Sequence, residues 1–270
     1  MRIAVITGAS SGMGEEFARR LLTESDGFAG APFDEIWLIA RSEAKLKSLS
    51  EELGPDKYRV LTLDLTSPED ISHLAGILEK EQPQVGLLIN SAGMGKLGSF
   101  ASHSMKDVDT TVTLNCTALS EVTHMFLPYM IKYGDSLPAK KGPRIINIAS
   151  SAGFLPQPNF ALYAATKSFV ISLSRALHVE LKPHHITVTC VCPGPVDTNF
   201  VKISKNDPNA TITGFKAKFV TTVDKLIPAS LRAAKKGKRM LVYGFGQKML
   251  HLASKILPTN LILYFEKGMN

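Results

Sequence analysis

Two residues one helical turn apart, Tyr163 and Lys167 in Leu162-Tyr163-Ala164-Ala165-Thr166-Lys167, carry the most legible chemistry in this 270-residue chain. A spacing of four stacks two side chains on one helix face, so an ammonium can stand beside a phenol and stabilise its anion. A free phenol titrates at about 10, too high for efficient proton transfer at neutral pH. The lysine is expected to lower that value, and a positively charged cofactor ring to lower it further. Ser150, upstream at the end of an apolar run, adds a third polar group. Spacing alone also suits an ordinary helix surface, so the case rests on the surroundings.

Short apolar runs alternate with amphipathic stretches, the pattern of βαβ units around a parallel sheet buried on both faces. Strands are expected at 2–7, 35–40, 58–63, 85–90, 143–149, 186–192 and 239–243. Helical stretches are expected near 13–24, 43–53, 68–81, 104–132, 159–181 and 222–234. These make one α/β domain, a doubly wound parallel sheet of about seven strands over 1–243, with a C-terminal helical extension at 244–270. Ligands of such sheets bind at the carboxyl ends of the strands.

Composition narrows the field. A hydrophobic content of 44% supports one large core. The chain enters an apolar run at Arg2–Ile6, which leaves no room for a signal peptide, and no apolar stretch is long enough for a membrane span. Cys116, Cys190 and Cys192 form neither a disulfide framework nor a zinc spacing. The expectation is a soluble cytoplasmic protein without a metal. The net charge of +7 is mostly dispersed and no nucleic-acid module is present, so a nucleic-acid partner is not expected.

Several polar segments follow the strands. Thr7-Gly8-Ala9-Ser10-Ser11-Gly12-Met13-Gly14 joins the first strand to a helix, where glycines let a pyrophosphate approach backbone N–H groups. Arg41 follows the second strand without a preceding acid, which suits a 2′-phosphate and favours NADP(H) over NAD(H). A solvated arginine, or one paired with Glu43, is the alternative. Asp64, before Leu65, can accept from an adenine amino group or cap the next turn. Asn90-Ser91-Ala92-Gly93 offers small residues against an adenosine, or a plain turn. Asn115 lies mid-helix, either solvated or drawn into a buried network. Pro193-Gly194-Pro195-Val196-Asp197-Thr198 makes a rigid bend that can meet a flat amide ring or serve as a structural turn.

Taken in order, the glycine motif, Asn90 to Gly93, Asn115, Ser150, Tyr163, Lys167 and the bend at Pro193-Gly194 resemble the classical short-chain dehydrogenases/reductases over about residues 2–243. The resemblance implies a Rossmann-type fold and a homodimer or homotetramer, often through the helices at 104–132 and 159–181. It implies Tyr163 as the general acid for ketone reduction and base for alcohol oxidation, with Ser150 on the substrate oxygen. Lys167 would bind the nicotinamide ribose and lower the tyrosine pKa, and Asn115 would hold a water continuing the proton path. Gly8, Ser10, Ser11, Gly12, Met13 and Gly14 match the phosphate loop. Arg41 matches the 2′-phosphate position, and Asp64, Leu65, Asn90, Ala92 and Gly93 the adenosine side. Pro193, Gly194, Val196 and Thr198 match the positions around the nicotinamide amide. Ser91 departs from the second asparagine many members carry, and Ser25–Asp34 is longer than usual and reads as a surface loop.

The segment after the bend, Asn199–Val220, mixes Phe200, Val201, Ile203, Ile212, Phe215 and Phe219 with lysines. It reads as a partly apolar lid, or as packing on the domain. A lid favours a bulky ketone or alcohol, steroid-like or long-chain; a 3-oxoacyl thioester reductase and a non-catalytic NADP-binding regulator are the alternatives. In the tail, Met249, Leu250, Leu252, Ala253, Ile256 and Leu257 suit one face of a short helix, with Leu261–Phe265 after Pro258. That tail can cover the cleft or a partner subunit, touch a membrane surface, or extend the core.

Overall fold

The first strand, β1 (Arg2–Thr7), is buried along its whole length, which explains why it reads as an unbroken apolar run rather than an alternation. Its side chains nevertheless alternate in direction. Ala4 and Ile6 join one core with Phe17, Leu21, Leu46, Leu226 and Leu231; Ile3 and Val5 join another with Leu74, Leu78, Val122, Phe126 and Met130. The computed structural model describes residues 1–24, 28, 32–198, 200–212, 217 and 219–259.

The remaining strands are β2 (Glu35–Ala40), β3 (Tyr58–Thr62), β4 (Gln84–Asn90), β5 (Arg144–Ile148), β6 (Thr187–Cys192) and β7 (Met240–Val242). All pair in parallel, in the order β3-β2-β1-β4-β5-β6-β7. The order reverses between β1 and β4, where a crevice opens at the carboxyl edge of a doubly wound sheet. Helices α1 (Gly12–Glu24), α2 (Glu43–Leu53) and α8 (Val223–Lys235) supply the first core, and α3 (Pro68–Glu81) and α5 (Leu119–Asp135) the second. On the far side of α5, α6 (Ala161–Glu180) packs Val170 and Ile171 against Cys190 and Cys192. This is a Rossmann-like single domain.

The stretch expected as one helix from 104 to 132 is α4 (Met105–Val112), a π-helical segment (Thr113–Ala118) and α5. Its start is fixed by a capping box between Ser104 and Asp107. Two short helices complete the chain order, α7 (Phe200–Lys205) and α9 (Phe245–Ile256). No helix among the described residues is long and apolar enough to cross a membrane.

Two expectations are corrected. The Ser25–Asp34 stretch is not simply a surface loop: Phe28 is fully buried beneath Lys235, and Phe33 is buried beneath the Arg2 guanidinium. In the tail helix, Met249, Leu252, Ile256 and Leu257 face outward rather than covering the domain. The apolar run Leu261–Phe265 lies outside the described residues.

Candidate active site

The site is assembled by ties between strand ends. Thr7 Oγ1, at the end of β1, accepts hydrogen bonds from the N–H groups of Ser91 (3.1 Å) and Ala92 (3.2 Å) beyond β4. That contact is so close that a Cβ at Gly8, whose φ is +68°, would lie 2.8 Å from Ala92 Cα. A Cβ at Gly14 would fall inside the Gly8 carbonyl. The turn can therefore close onto the start of α1 only with glycine at both positions. Gly12 stands opposite Thr198, so the glycine turn and the bend after β6 form two walls of one crevice.

Beside this turn a cleft of about 380 Å³ runs between α1 and α2, lined by Ser10, Ser11, Arg19 and Lys45 among others. Arg19 is tied to Glu15 and Glu52, whereas Lys45 makes no ion pair among the described residues. Arg41 is 71% exposed and stands 3.8 Å from Asp64. Glu43, the competing partner considered above, instead pairs with Lys47. Asp64 Oδ1 accepts from Thr66 N (2.9 Å) and Oγ1 (2.7 Å), which caps the turn, while Oδ2 faces Arg41. Leu65 behind it is buried.

Asn90 turns its amide inward. Its Nδ2 donates to Thr123 Oγ1 and Asn147 Oδ1, both at 2.9 Å, and Asn147 Nδ2 donates to Ser174 Oγ at 3.0 Å. The side chain thus knits β4, β5, α5 and α6 together instead of facing the crevice. Gly93 sits where a Cβ would come within 3.2 Å of both Asn115 Oδ1 and Lys167 Nζ.

Asn115, Ser150, Tyr163 and Lys167 are all buried. The Tyr163 hydroxyl is hydrogen-bonded to Ser150, whose Oγ is held by the Ala152 N–H at 3.1 Å. Lys167 Nζ donates to Ile148 O at 2.9 Å and lies 5.6 Å from the centroid of the tyrosine ring. Asn115 belongs to the π-helical segment, a local widening common at functional sites. Its Oδ1 accepts from Met94 N (2.9 Å), and its Nδ2 donates to Met94 O (2.7 Å) and Thr166 Oγ1 (2.9 Å). The asparagine therefore clamps the 90–94 segment to α6.

The electrostatics correct one expectation. Burial pushes the Tyr163 phenol up to about 12, against which only the Ser150 hydrogen bond pulls down. Lys167 does not lower it in this geometry, because its ammonium lies by the ring and bonds to Ile148 rather than to the hydroxyl. Burial also pulls Lys167 itself down to about 8.

Together with Phe200 of the expected lid, two residues missed in the sequence, Phe160 and Gly95, frame the tyrosine. Phe160 stacks on it, Phe200 of α7 approaches its ring at 5.3 Å, and a Cβ at Gly95 would lie 2.6 Å from its Cδ2. The signal for Phe160 was an aromatic residue three positions before Tyr163; Gly95 left none. The Leu97 N–H donates to Ser204 O at 2.9 Å and latches α7 over the site. Asn199 and Phe215 lie outside the described residues. Beyond β6, Pro193 O accepts from Ser151 N at 2.8 Å, Val196 bridges to Thr221, and Gly194 is pressed against Gln247 of α9. Nothing in the sequence pattern marked Gln247.

The crevice fits a dinucleotide: glycines are demanded where a Cβ would collide, and serines, cations and small residues follow one another along the carboxyl edge. A family model for short chain dehydrogenase matches residues 2–209. A short-chain dehydrogenase from Sphingobium yanoikuyae, solved in complex with NADPH, is 28% identical, with 99% of this chain and 94% of that one covered and a TM-score of 0.73. The bulky-bulky ketone specific alcohol dehydrogenase from Comamonas testosteroni is 27% identical, with 94% and 92% covered and a TM-score of 0.71. A 3-ketoacyl-(acyl-carrier-protein) reductase from Brucella melitensis, complexed with NADH, is 26% identical, with 89% and 93% covered and a TM-score of 0.71. Because the family match runs without interruption from the first strand past the bend that faces the glycine turn, this chain belongs to the short-chain dehydrogenase/reductase family of oxidoreductases.

Proposed function

We propose that the protein is an NADP(H)-dependent reductase of bulky, lipophilic ketones, reversible toward secondary alcohols. The observation that carries this reading is the buried Tyr163 hydroxyl, hydrogen-bonded to Ser150, which burial keeps in its protonated form. A phenol in that state is a proton donor. A nicotinamide cofactor, when bound, supplies hydride to the carbonyl carbon or takes it from the alcohol. Ser150 then holds the carbonyl oxygen, stabilising the charge that develops there, and Tyr163 transfers its proton to that oxygen. Lys167 binds the ribose and returns a proton to the tyrosine, and Asn115 keeps the 90–94 wall in place and organises the water path to Lys167.

The phosphate groups would lie along Gly8 to Gly14 at the start of α1. A 2′-phosphate would meet Arg41, with Lys45 and Ser10 beside the same turn. Adenosine would rest against Asp64, Leu65 and the backbone of Asn90, Ala92 and Gly93, and the nicotinamide amide against Pro193, Gly194, Val196 and Thr198. The NADPH complex of the Sphingobium relative supports the cofactor choice.

Phe160 and Phe200 beside Tyr163 make the substrate side aromatic, in keeping with the Comamonas relative's preference for ketones flanked by bulky groups. The Brucella relative favours a second reading, a 3-oxoacyl thioester reductase. A non-catalytic regulator would not need a proton donor held in this way. On the same reading the enzyme works in the cytoplasm as a homodimer or homotetramer, pairing through α5 and α6, where Phe169 and Val179 are exposed. Residues 1–243 would form the catalytic unit and 244–270 its extension. An NADPH-consumption screen over ketosteroids, 3-oxoacyl thioesters and small diketones tests it: turnover confined to the acyl thioesters would replace the ketone reading with the second one.

A further inference from the structure

The helix α9 carries an apolar stripe that the domain does not cover. Phe245, Met249, Leu252 and Ile256 are 79%, 50%, 50% and 69% exposed, and Leu257 just beyond is 43% exposed. Their spacing of four, three and four keeps them on one line about 16 Å long at 1.5 Å per residue. The opposite side of the helix is the packed one: Gln247 is buried against Gly194, and the His251 ring lies 4.4 Å from that of Phe154.

The charged residues of α9 are both basic. Lys248 and Lys255, the two lysines of α9, are exposed and sit about 70–90° round the helix from the stripe's centre at 100° per residue. From that flank, long stems can lie along an apolar layer while the ammonium groups reach phosphates. Between Gly244 and Thr259 there are two lysines and no Asp or Glu. A second copy docked through α9 would set like charges beside one another. An anionic lipid surface matches both the stripe and the charge. Past α9 the sequence continues with a further apolar run, Leu261-Ile262-Leu263-Tyr264-Phe265.

We propose that α9 docks this protein on anionic bilayers, with Phe245, Met249, Leu252 and Ile256 in the interface and Lys248 and Lys255 on lipid phosphates. The helix lies in the membrane plane rather than crossing it. Because Gln247 touches the bend after β6, docking holds the substrate side of the crevice near the lipid, but the inference does not depend on the ketone reading.

The test is co-sedimentation of the full chain with phosphatidylcholine vesicles made with and without phosphatidylglycerol, at low and high salt, with solution mass followed by light scattering. Binding is expected to the anionic vesicles at low salt, weakening as salt rises. The double variant Leu252→Ser/Ile256→Ser should bind about tenfold more weakly or worse while keeping its circular dichroism and solution mass. Lys248→Gln/Lys255→Gln should reduce the salt dependence. The proposal is overturned if the wild-type chain stays in the supernatant at low salt, or if the double variant binds as well as wild type. It is also overturned if the double variant lowers the oligomer mass without changing vesicle binding, which would make the stripe a subunit contact.

Discussion

The ring of Phe160 lies on that of Tyr163, centroids 4.3 Å apart and planes 22° from parallel, so the proton donor is held by a neighbour three residues earlier in the chain. With Phe200 near the same ring and Gly95 against its edge, the stack fixes the phenol beneath Ser150 and removes it from water. Such pairs contribute about 0.5–1.5 kcal/mol beyond the area they bury. Phe160→Ala should therefore lower kcat/KM about tenfold, the upper end of that range, with NADPH affinity unchanged. Steady-state kinetics beside a cofactor titration check this, and unaltered kcat/KM would remove the positioning role.

Lys167 predicts an opposition between stability and activity. Burial holds its pKa at about 8 against an ordinary 10.5. Below about pH 8 the group is charged in both folded and unfolded chains, and the folded state bears the full desolvation penalty. Between about 8 and 10.5 the folded chain binds fewer protons than the unfolded one, so stability rises with pH and the penalty fades. Lys167→Met should abolish turnover yet stabilise the fold at pH 7 by about 1–3 kcal/mol, allowing for the lost bond to Ile148. Thermal melts at pH 7 and at pH 10.5 should show that advantage shrink; a variant less stable than wild type at pH 7 would contradict it.

Arg41 and Lys45 should separate the two nicotinamide cofactors. Arg41→Ala is expected to weaken NADPH binding by tenfold or more, about 1.4 kcal/mol or above, and NADH binding much less. Lys45→Ala should act in the same direction with a smaller effect, since lysine lacks the planar fork. Fluorescence titrations of both cofactors measure this. Equal weakening of NADPH and NADH by Arg41→Ala would remove the 2′-phosphate role.

Asn115→Ala would break three hydrogen bonds in a fully buried place and leave the Met94 backbone groups unpaired. Unsatisfied buried groups are destabilising by about 1–3 kcal/mol each. The variant should unfold at clearly lower denaturant and lose most of its turnover, as denaturation curves and kinetics will show. A loss of turnover at unchanged stability would mean that Asn115 acts on the water path alone and not as a clamp.

The strands were legible because a sheet covered on both faces writes them as near-continuous apolar runs, as β1 and β2 show. The placement of Ser150 followed from the end of such a run, and that of Tyr163 and Lys167 from their helical spacing. Other features leave no trace in composition. The π-helical turn at Asn115 changes the bonding register without changing the residue types. Whether the Asn90 amide points to the crevice or the interior depends on Thr123 and Asn147, distant in sequence. Periodicity marked the apolar face of α9, but a face looks the same whether the fold turns it inward or outward. The lysine's expected effect on Tyr163 failed for a related reason: a spacing of four places Nζ near the ring, while the Ile148 carbonyl decides where it bonds.

The central claim is that Tyr163 supplies the proton, and NADPH oxidation by wild type and Tyr163→Phe, with a bulky ketone that the wild type reduces, tests it most directly. The account predicts a loss of three orders of magnitude or more, on the order of 4 kcal/mol, with NADPH bound as tightly as before. A phenylalanine variant that binds NADPH and still reduces the ketone within tenfold of the wild-type rate would contradict it.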